Sequence, residues 1–380
     1  MTPADLARLT ELRHDLHRQP ELSGQEARTA ARVAAHLNDL QPDHLLTGIG
    51  GHGVAAVFQG AHPGPTVAVR CELDGLPIQE LSERDHRSQV PGRGHLCGHD
   101  GHMVTVLAVG ETLARARPVR GRAVLIFQPA EETGKGAAAF RADPQFASIA
   151  PDMVFSLHNL PGLPLGHVEL ATGAANCASR GMRIRLTGKT AHAAAPGDGL
   201  SPAAAIARLL PELAALGPGG ALTEGFSLTT VTHAWLGEPT FGVAPGAGEV
   251  WVTLRTVGDA AMARLVARAR GLAETAAGEA GLGLEIGFDD VFEACTNAPA
   301  PVEILQAACA ARDVPLYLSD RPQSFSEDFG QFAKGAETAM FWLGAGEDHP
   351  RLHNPDYDFP DALILIGADV FETAMRSVLG

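Results

Sequence analysis

The stretch "GHLCGHDGHMV", residues 94–104, sets Cys97 among His95, His99, Asp100 and His102. Thiolate, imidazole and carboxylate together suit zinc and its first-row neighbours, whereas an all-oxygen set suits magnesium or calcium. Taken alone, such a cluster is also what a core or surface accident produces, because short motif matches carry false positives. Its weight comes from what ends the other apolar runs. "VAVRCELD" ends in Glu72 and Asp74, "AVLIFQPAEE" in Glu131 and Glu132, and "MVFSLH" in His158. "TAMFWLG" leads on to "HPRLHNPDYDF", which holds His349 and His353. Ligands of open α/β sheets bind beyond the carboxyl ends of the strands, so these separate segments are expected to converge on one edge. Two metals a few ångströms apart need a bridging ligand and can activate one shared water. Adjacent glutamates then divide the labour: one binds metal, and the other takes the water's proton and passes it to the leaving group. A Glu-Glu pair is more often a solvated face, but a buried strand and "QPA" precede this one.

The elements that must position these residues follow from periodicity. Leu6, Leu9, Leu12 and Leu16 have helical spacing, Pro20 breaks the run, and a second helix is expected from Ala27 to Leu40. Apolar, β-branched runs near 54, 66, 123 and 153 alternate with helical stretches, notably 101–116. That pattern predicts a sheet with both faces covered. From about residue 175 the texture changes. "GMRIRLTG" alternates with period two, and a helix at 201–216, two strands, a helix at 259–281 and "GLGLEIGF" follow. This β-α-β-β-α-β order matches a ferredoxin-like unit. The expectation is an α/β catalytic domain with a covered mixed sheet, residues 1–174 and 294–380, interrupted by a smaller α+β domain over 175–293.

Composition narrows the class. Lys+Arg 29 against Asp+Glu 44 leaves a formal charge of −15 and no basic stripe, which argues against a nucleic-acid partner. No N-terminal segment joins a basic start to an apolar run, and no stretch approaches about 18 apolar residues. A soluble, cytoplasmic protein with no membrane partner is expected. Five scattered cysteines, never in a CxxC pair, are no disulfide framework; all but Cys97 are read as small buried hydrophobes. His14 and His17 are read as structural, and His36, His44, His52, His62 and His86 as lacking partners.

The segments "LRHDLHRQPELSGQE", "RCELDGLPIQE", "HLCGHDGHMV", "FQPAEETGKGA", "SLHNLP", "GKTAHAAAP", "SEDFGQF" and "LHNPDYDF" occur in this order across nearly the whole chain. Together they resemble the amidohydrolase branch of the M20 metallopeptidases, which includes hippurate hydrolases, N-acyl-amino-acid amidohydrolases and auxin-conjugate hydrolases. The resemblance implies a two-metal site holding zinc, manganese, cobalt or nickel. Cys97, able to bridge, and His99 match its "CGH" ligands; Glu132, His158 and His353 match the others. Glu131 matches the general base, and Asp74 an aspartate that supports the site. His95 and His102 are not expected to be primary ligands, with His95 a candidate support.

The inserted domain of that family implies two more roles and a dimerisation function. His192 matches a histidine that reaches a neighbouring subunit's site and steadies the oxyanion, so a homodimer or higher homo-oligomer is expected. Arg255 matches an arginine that grips the substrate carboxylate. The implied reaction is hydrolysis of an N-acyl-L-amino acid to an acid and a free amino acid. The alternatives are a dipeptidase or carboxypeptidase acting on short peptides, or a non-catalytic metal-binding or ligand-binding relative. Two positions depart from the family pattern. Gly242 stands where the family has Asn, and Glu72 where it has Asp, and both bear on substrate preference.

Overall fold

In the computed structural model, which describes residues 1–380, helix α1 spans Pro3–His17 and α2 spans Ala27–Asp39. A Thr2–Asp5 capping box with Pro3 in the first turn starts α1. The remaining helices are α3 (His99–Arg115), α4 (Gly136–Ala142), α5 (Ala203–Ala215), α6 (Asp259–Ala280), α7 (Pro299–Ala311) and α8 (Leu363–Leu379). None is long and apolar enough to cross a membrane.

The chain divides into two units. The first comprises Met1–Ala175, Cys295–Asp320 and Glu327–Gly380, and the second Asn176–Ala294 with Arg321–Ser326. The sequence placed residues 321–326 with the catalytic part. Their bonds run to the second unit instead: Arg255 donates to the Ser324 carbonyl and the Ser326 hydroxyl, and Cys177 N to the Gln323 carbonyl. The boundaries at 174/175 and 293/294 each move by one residue.

The first unit is built on an eight-stranded mixed sheet. Four central strands, His62–Glu72, Arg120–Gln128, Met153–Pro161 and Glu337–Gly346, run parallel to one another. Gly53–Gln59 and His44–Ile49 extend one side antiparallel, and Val168–Ala171 and Leu316–Ser319 extend the other. Residues 66–72, 123–128, 154–159 and 338–345 are buried without alternation, as strands covered on both faces must be. Periodicity missed the short strands at 168–171 and 316–319, because four residues are too few to show a period. The second unit is a four-stranded antiparallel sheet in the order Ser227–Leu236, Ala247–Thr256, Ala178–Thr187, Gly283–Phe292, with α5 and α6 sharing its core. This is the ferredoxin-like order. All five cysteines are free and buried.

Two histidines read as lacking partners have them. His36 Nε2 lies 3.2 Å from Glu111. His86 lies 3.1 Å from Asp358 and stacks on His14 at 3.8 Å between centroids. Both partners come from distant segments, which local spacing does not show. His17 is wholly buried, 2.9 Å from Asp100 and 3.2 Å from Glu80. Burial pulls its pKa down, but Asp100 and Glu80 outweigh it and hold it up to about 9. The folded value exceeds the unfolded one, near 6.5. The resulting stability is therefore complete below pH 6.5 and fades as pH rises to about 9. Urea unfolding at the two ends of that window should differ by on the order of 3 kcal/mol more for the wild type than for His17→Gln. Equal pH slopes in the two proteins would contradict it.

Candidate metal centre

Because the four central strands are parallel, the segments leaving their carboxyl ends line one edge of the first unit. Asp74 follows the first strand and Glu131 and Glu132 follow the second. His158 lies within the end of the third, and His353 sits in the loop after the fourth. Cys97 and His99 arrive from the loop that opens α3. Gly98 between them takes φ +90°, and a Cβ there would collide with Asn159 Oδ1, so the sharp "CGH" turn needs glycine. Ala130, just before Glu131, is also left-handed at φ 54°. Its N–H donates to the buried Glu26 carboxylate at 2.8 Å, and that bond helps to hold an uncommon backbone conformation.

The donor atoms crowd together. Cys97 Sγ lies 3.4 Å from His158 Nε2, His99 Nε2 lies 3.9 Å from both Glu131 and Glu132, and His353 Nε2 lies 3.7 Å from Glu132. Two metal–ligand bonds of about 2.0–2.3 Å each span such gaps. Cys97, His99 and His158 form one group able to hold an ion, and Cys97, Glu132 and His353 another. Cys97 is common to these two groups, and a thiolate is able to bridge two ions; His99 also groups with Glu131 and Glu132 and with Glu72 and His102.

Hydrogen bonds set the ring orientations. His99 Nδ1 donates to the Asp74 carbonyl at 2.8 Å and His158 Nδ1 to the Asn159 carbonyl at 2.9 Å. A carbonyl only accepts, so each Nδ1 carries a proton and each Nε2 is left to face the centre. The Asp74 carboxylate accepts from Ser23 Oγ at 2.7 Å and from Glu132 N at 3.1 Å, which ties three of the motif segments together.

The electrostatics suit a divalent cation. Burial, then the charges of Glu327 and Glu132, push Glu131 well above the usual carboxylate range. Burial likewise lifts Glu132 to about 7, with His99 opposing. Burial, Glu132 and Glu131 raise the Cys97 thiol. Burial acts to lower His99, but the Asp74 carboxylate and the charges of Glu72 and Glu132 hold it up to about 10. Buried His99 Nε2 and Glu132 Oε1 have no hydrogen-bond partner, a costly state for buried polar atoms that coordination relieves. The residues present fit two divalent ions.

The family model of peptidase family M20/M25/M40 matches residues 68–377. The chain belongs to that family. An N-acetyl-L-cysteine deacetylase of Bacillus subtilis (strain 168) is 28% identical over 375 residues, covering 97% of this M20 chain and 88% of that protein. An N-acetyldiaminopimelate deacetylase of Anoxybacillus flavithermus is 28% identical over 366 residues, covering 93% and 94%. The crystal structure of a dinuclear metal-binding M20 peptidase from Bacillus subtilis superposes with a TM-score of 0.84 at 25% identity, covering 100% and 99%. This M20 chain is a metal-dependent amidohydrolase with the family's mixed α/β architecture.

Several residues that shape the M20 site carried no assigned role in the sequence. His102 lies 2.6 Å from Glu72 and 2.5 Å from Asn159 Oδ1, so both its nitrogens are engaged. Glu72 also pairs with buried Arg70, which binds Glu327 at 2.9 Å and Asp328 at 2.7 Å. Glu131, Glu327 and Asp328 form a further buried acidic group. Ser23, Glu26, Glu327 and Asp328 all lie within quoted motifs, and that membership was the available signal. His95, the candidate support, is buried among these segments and makes no hydrogen bond within the chain.

In the second unit, His192 is exposed, and its Nδ1 accepts from Ala194 N at 3.0 Å. Its backbone pairs with Val243, and Gly242 O accepts from Ala193 N. The Gly242 departure therefore lies in the short ladder that carries His192. Half-buried Arg255 is held at 3.1 and 3.0 Å by Ser324 O and Ser326 Oγ.

Proposed function

We propose that this amidohydrolase cleaves N-acyl-L-amino acids, with an acetyl, benzoyl or similar acyl group, to a carboxylic acid and a free amino acid. The observation that carries the reading is the convergence of Cys97, His99, Glu132, His158 and His353 at one edge of the sheet, with Glu131 3.9 Å from His99. The deacetylases named above support the substrate class.

In this reading those five residues would hold two divalent ions, of zinc, manganese, cobalt or nickel. Ions so held supply Lewis acidity, lowering the pKa of a water and polarising the acyl carbonyl. Glu131 accepts the proton of the attacking water and delivers it to the amide nitrogen as the C–N bond breaks. Asp74 keeps His99 turned toward the centre through its own carbonyl and holds the Glu132 backbone through its carboxylate. His192 donates to the oxyanion in a neighbouring subunit of a homodimer or higher homo-oligomer. Arg255 pairs with the substrate carboxylate. The protein works in the cytoplasm.

A substrate panel tests the proposal. With zinc- or manganese-loaded protein, kcat/KM should be at least ~10-fold higher for hippurate or N-acetyl amino acids than for dipeptides, the scale of one good polar contact. The reverse order would establish a dipeptidase, and no hydrolysis of any amide would leave a binding protein. Arg255→Ala should raise KM ~10–100-fold for these acids, as loss of a charge-assisted hydrogen bond does. For the corresponding amides, which lack the charge, KM should barely move. Equal losses on both substrates would remove Arg255 from carboxylate recognition.

A further inference from the structure

Beside the candidate metal centre, in the same unit, lies a second buried charged cluster that the proposed chemistry leaves unused. Its hub is Arg13 on α1, a fully buried guanidinium. Its Nη1 donates to Asp100 at 3.0 Å and to Asp358 at 2.8 Å, and its Nε donates to Asp361 at 2.5 Å. Burying an arginine among carboxylates seldom stabilises a fold more than an apolar replacement would. Such a cluster is better explained by the geometry that it imposes.

That geometry concerns the candidate ligands. Asp100 directly follows His99 in the first turn of α3. Asp358 and Asp361 end the loop that carries His353, whose side chain is 49% exposed and whose backbone is left-handed at φ 66°. The loop meets the other ligand segments at two further points. His353 N donates to the Leu96 carbonyl at 2.8 Å, and Tyr357 Oη accepts from Asn159, the neighbour of His158, at 2.6 Å. The planar fork of one guanidinium thus joins the His99 segment to the His353 loop, which a lysine's single point charge cannot do with the same directions.

We propose that Arg13 is a positioning residue of the metal centre, setting the separation of the segments that carry His99 and His353 through Asp100 on one side and Asp358 and Asp361 on the other. This rests on the ligand assignment proposed above.

The test uses the full chain, freed of metal and titrated with zinc alone against a chromophoric chelator. Wild type, Arg13→Lys and Asp361→Asn are compared, and urea unfolding of each metal-free protein is measured in parallel. In Arg13→Lys the weaker of the two zinc affinities should fall ~10–100-fold, the usual effect of removing a ligand's support. kcat should fall with it while KM holds. Asp361 is partly exposed, and Asp361→Asn should give a smaller loss in the same direction. A merely structural role would lower the urea midpoint and leave the zinc affinities of the folded protein alone. Folded Arg13→Lys with both affinities within about twofold of wild type, well short of that range, overturns the proposal. Should Arg13→Lys not fold, unchanged affinities in Asp361→Asn overturn it equally. Wild type that binds no zinc would instead overturn the ligand assignment.

Discussion

Glu131→Gln will lower turnover by ~10²–10⁴-fold, the usual contribution of a positioned general base, while the protein still takes up two metal ions. The amide is close to the carboxylate in size and can hydrogen-bond, but it accepts no proton at neutral pH. Glu131 sits 3.9 Å from His99 Nε2, among groups that already carry excess negative charge. Removing one charge from that crowd leaves Cys97, His99, Glu132, His158 and His353 in place. Steady-state kinetics together with elemental analysis decide the matter. A variant that is metal-replete and keeps activity within a few-fold would sink the assignment of the base. Loss of metal along with activity would recast Glu131 as a ligand.

Chelation will abolish activity, and zinc or manganese will restore it. In His99→Ala the added metal will not, because that ring faces Glu131 and Glu132 at once. The protein will also lose stability. An ion at about a thousand times its dissociation constant contributes roughly 4 kcal/mol to the folded state, so the thermal midpoint should drop on chelation. The pH dependence follows from the electrostatics. Burial lifts Glu132 to about 7 and raises Cys97 above the ordinary thiol range. Protons therefore compete with metal for both ligands, and binding releases them. Zinc affinity should rise with pH through the neutral range, and isotherms at pH 6, 7 and 8 measure it. Affinity independent of pH would contradict ligation by these groups, and activity that survives chelation would point to thiol chemistry at Cys97 instead.

The candidate donors were legible because each lies in a short local run: "CGH", "EE" after a buried strand, "LH", and "HNP". Apolar strands alternating with helices likewise announced a covered sheet, since a strand buried on both faces needs continuous apolar sequence. The ferredoxin-like order was readable from the opposite signal, period-two strands buried on one face and flanked by Ala-rich helices. Where an element was too short to repeat, as at Val168–Ala171, or its partner lay far away, as for His86 and Asp358, local pattern had nothing to report.

By itself, then, the chain's order of residues determined which side chains can do chemistry and which kind of sheet edge presents them. Only the tertiary structure decided how they are held. It turned His99 and His158 so that Nε2 faces the centre, and it brought Cys97 within reach of His99 and His158 and also of Glu132 and His353. It spent Glu72 on Arg70 and His102 and left His95 without a partner. It also placed Arg13 against Asp100 and Asp358, 87 and 345 residues away. Directed bonds across such separations depend on the parallel sheet bringing distant loops to one edge, and no periodicity along the chain encodes that.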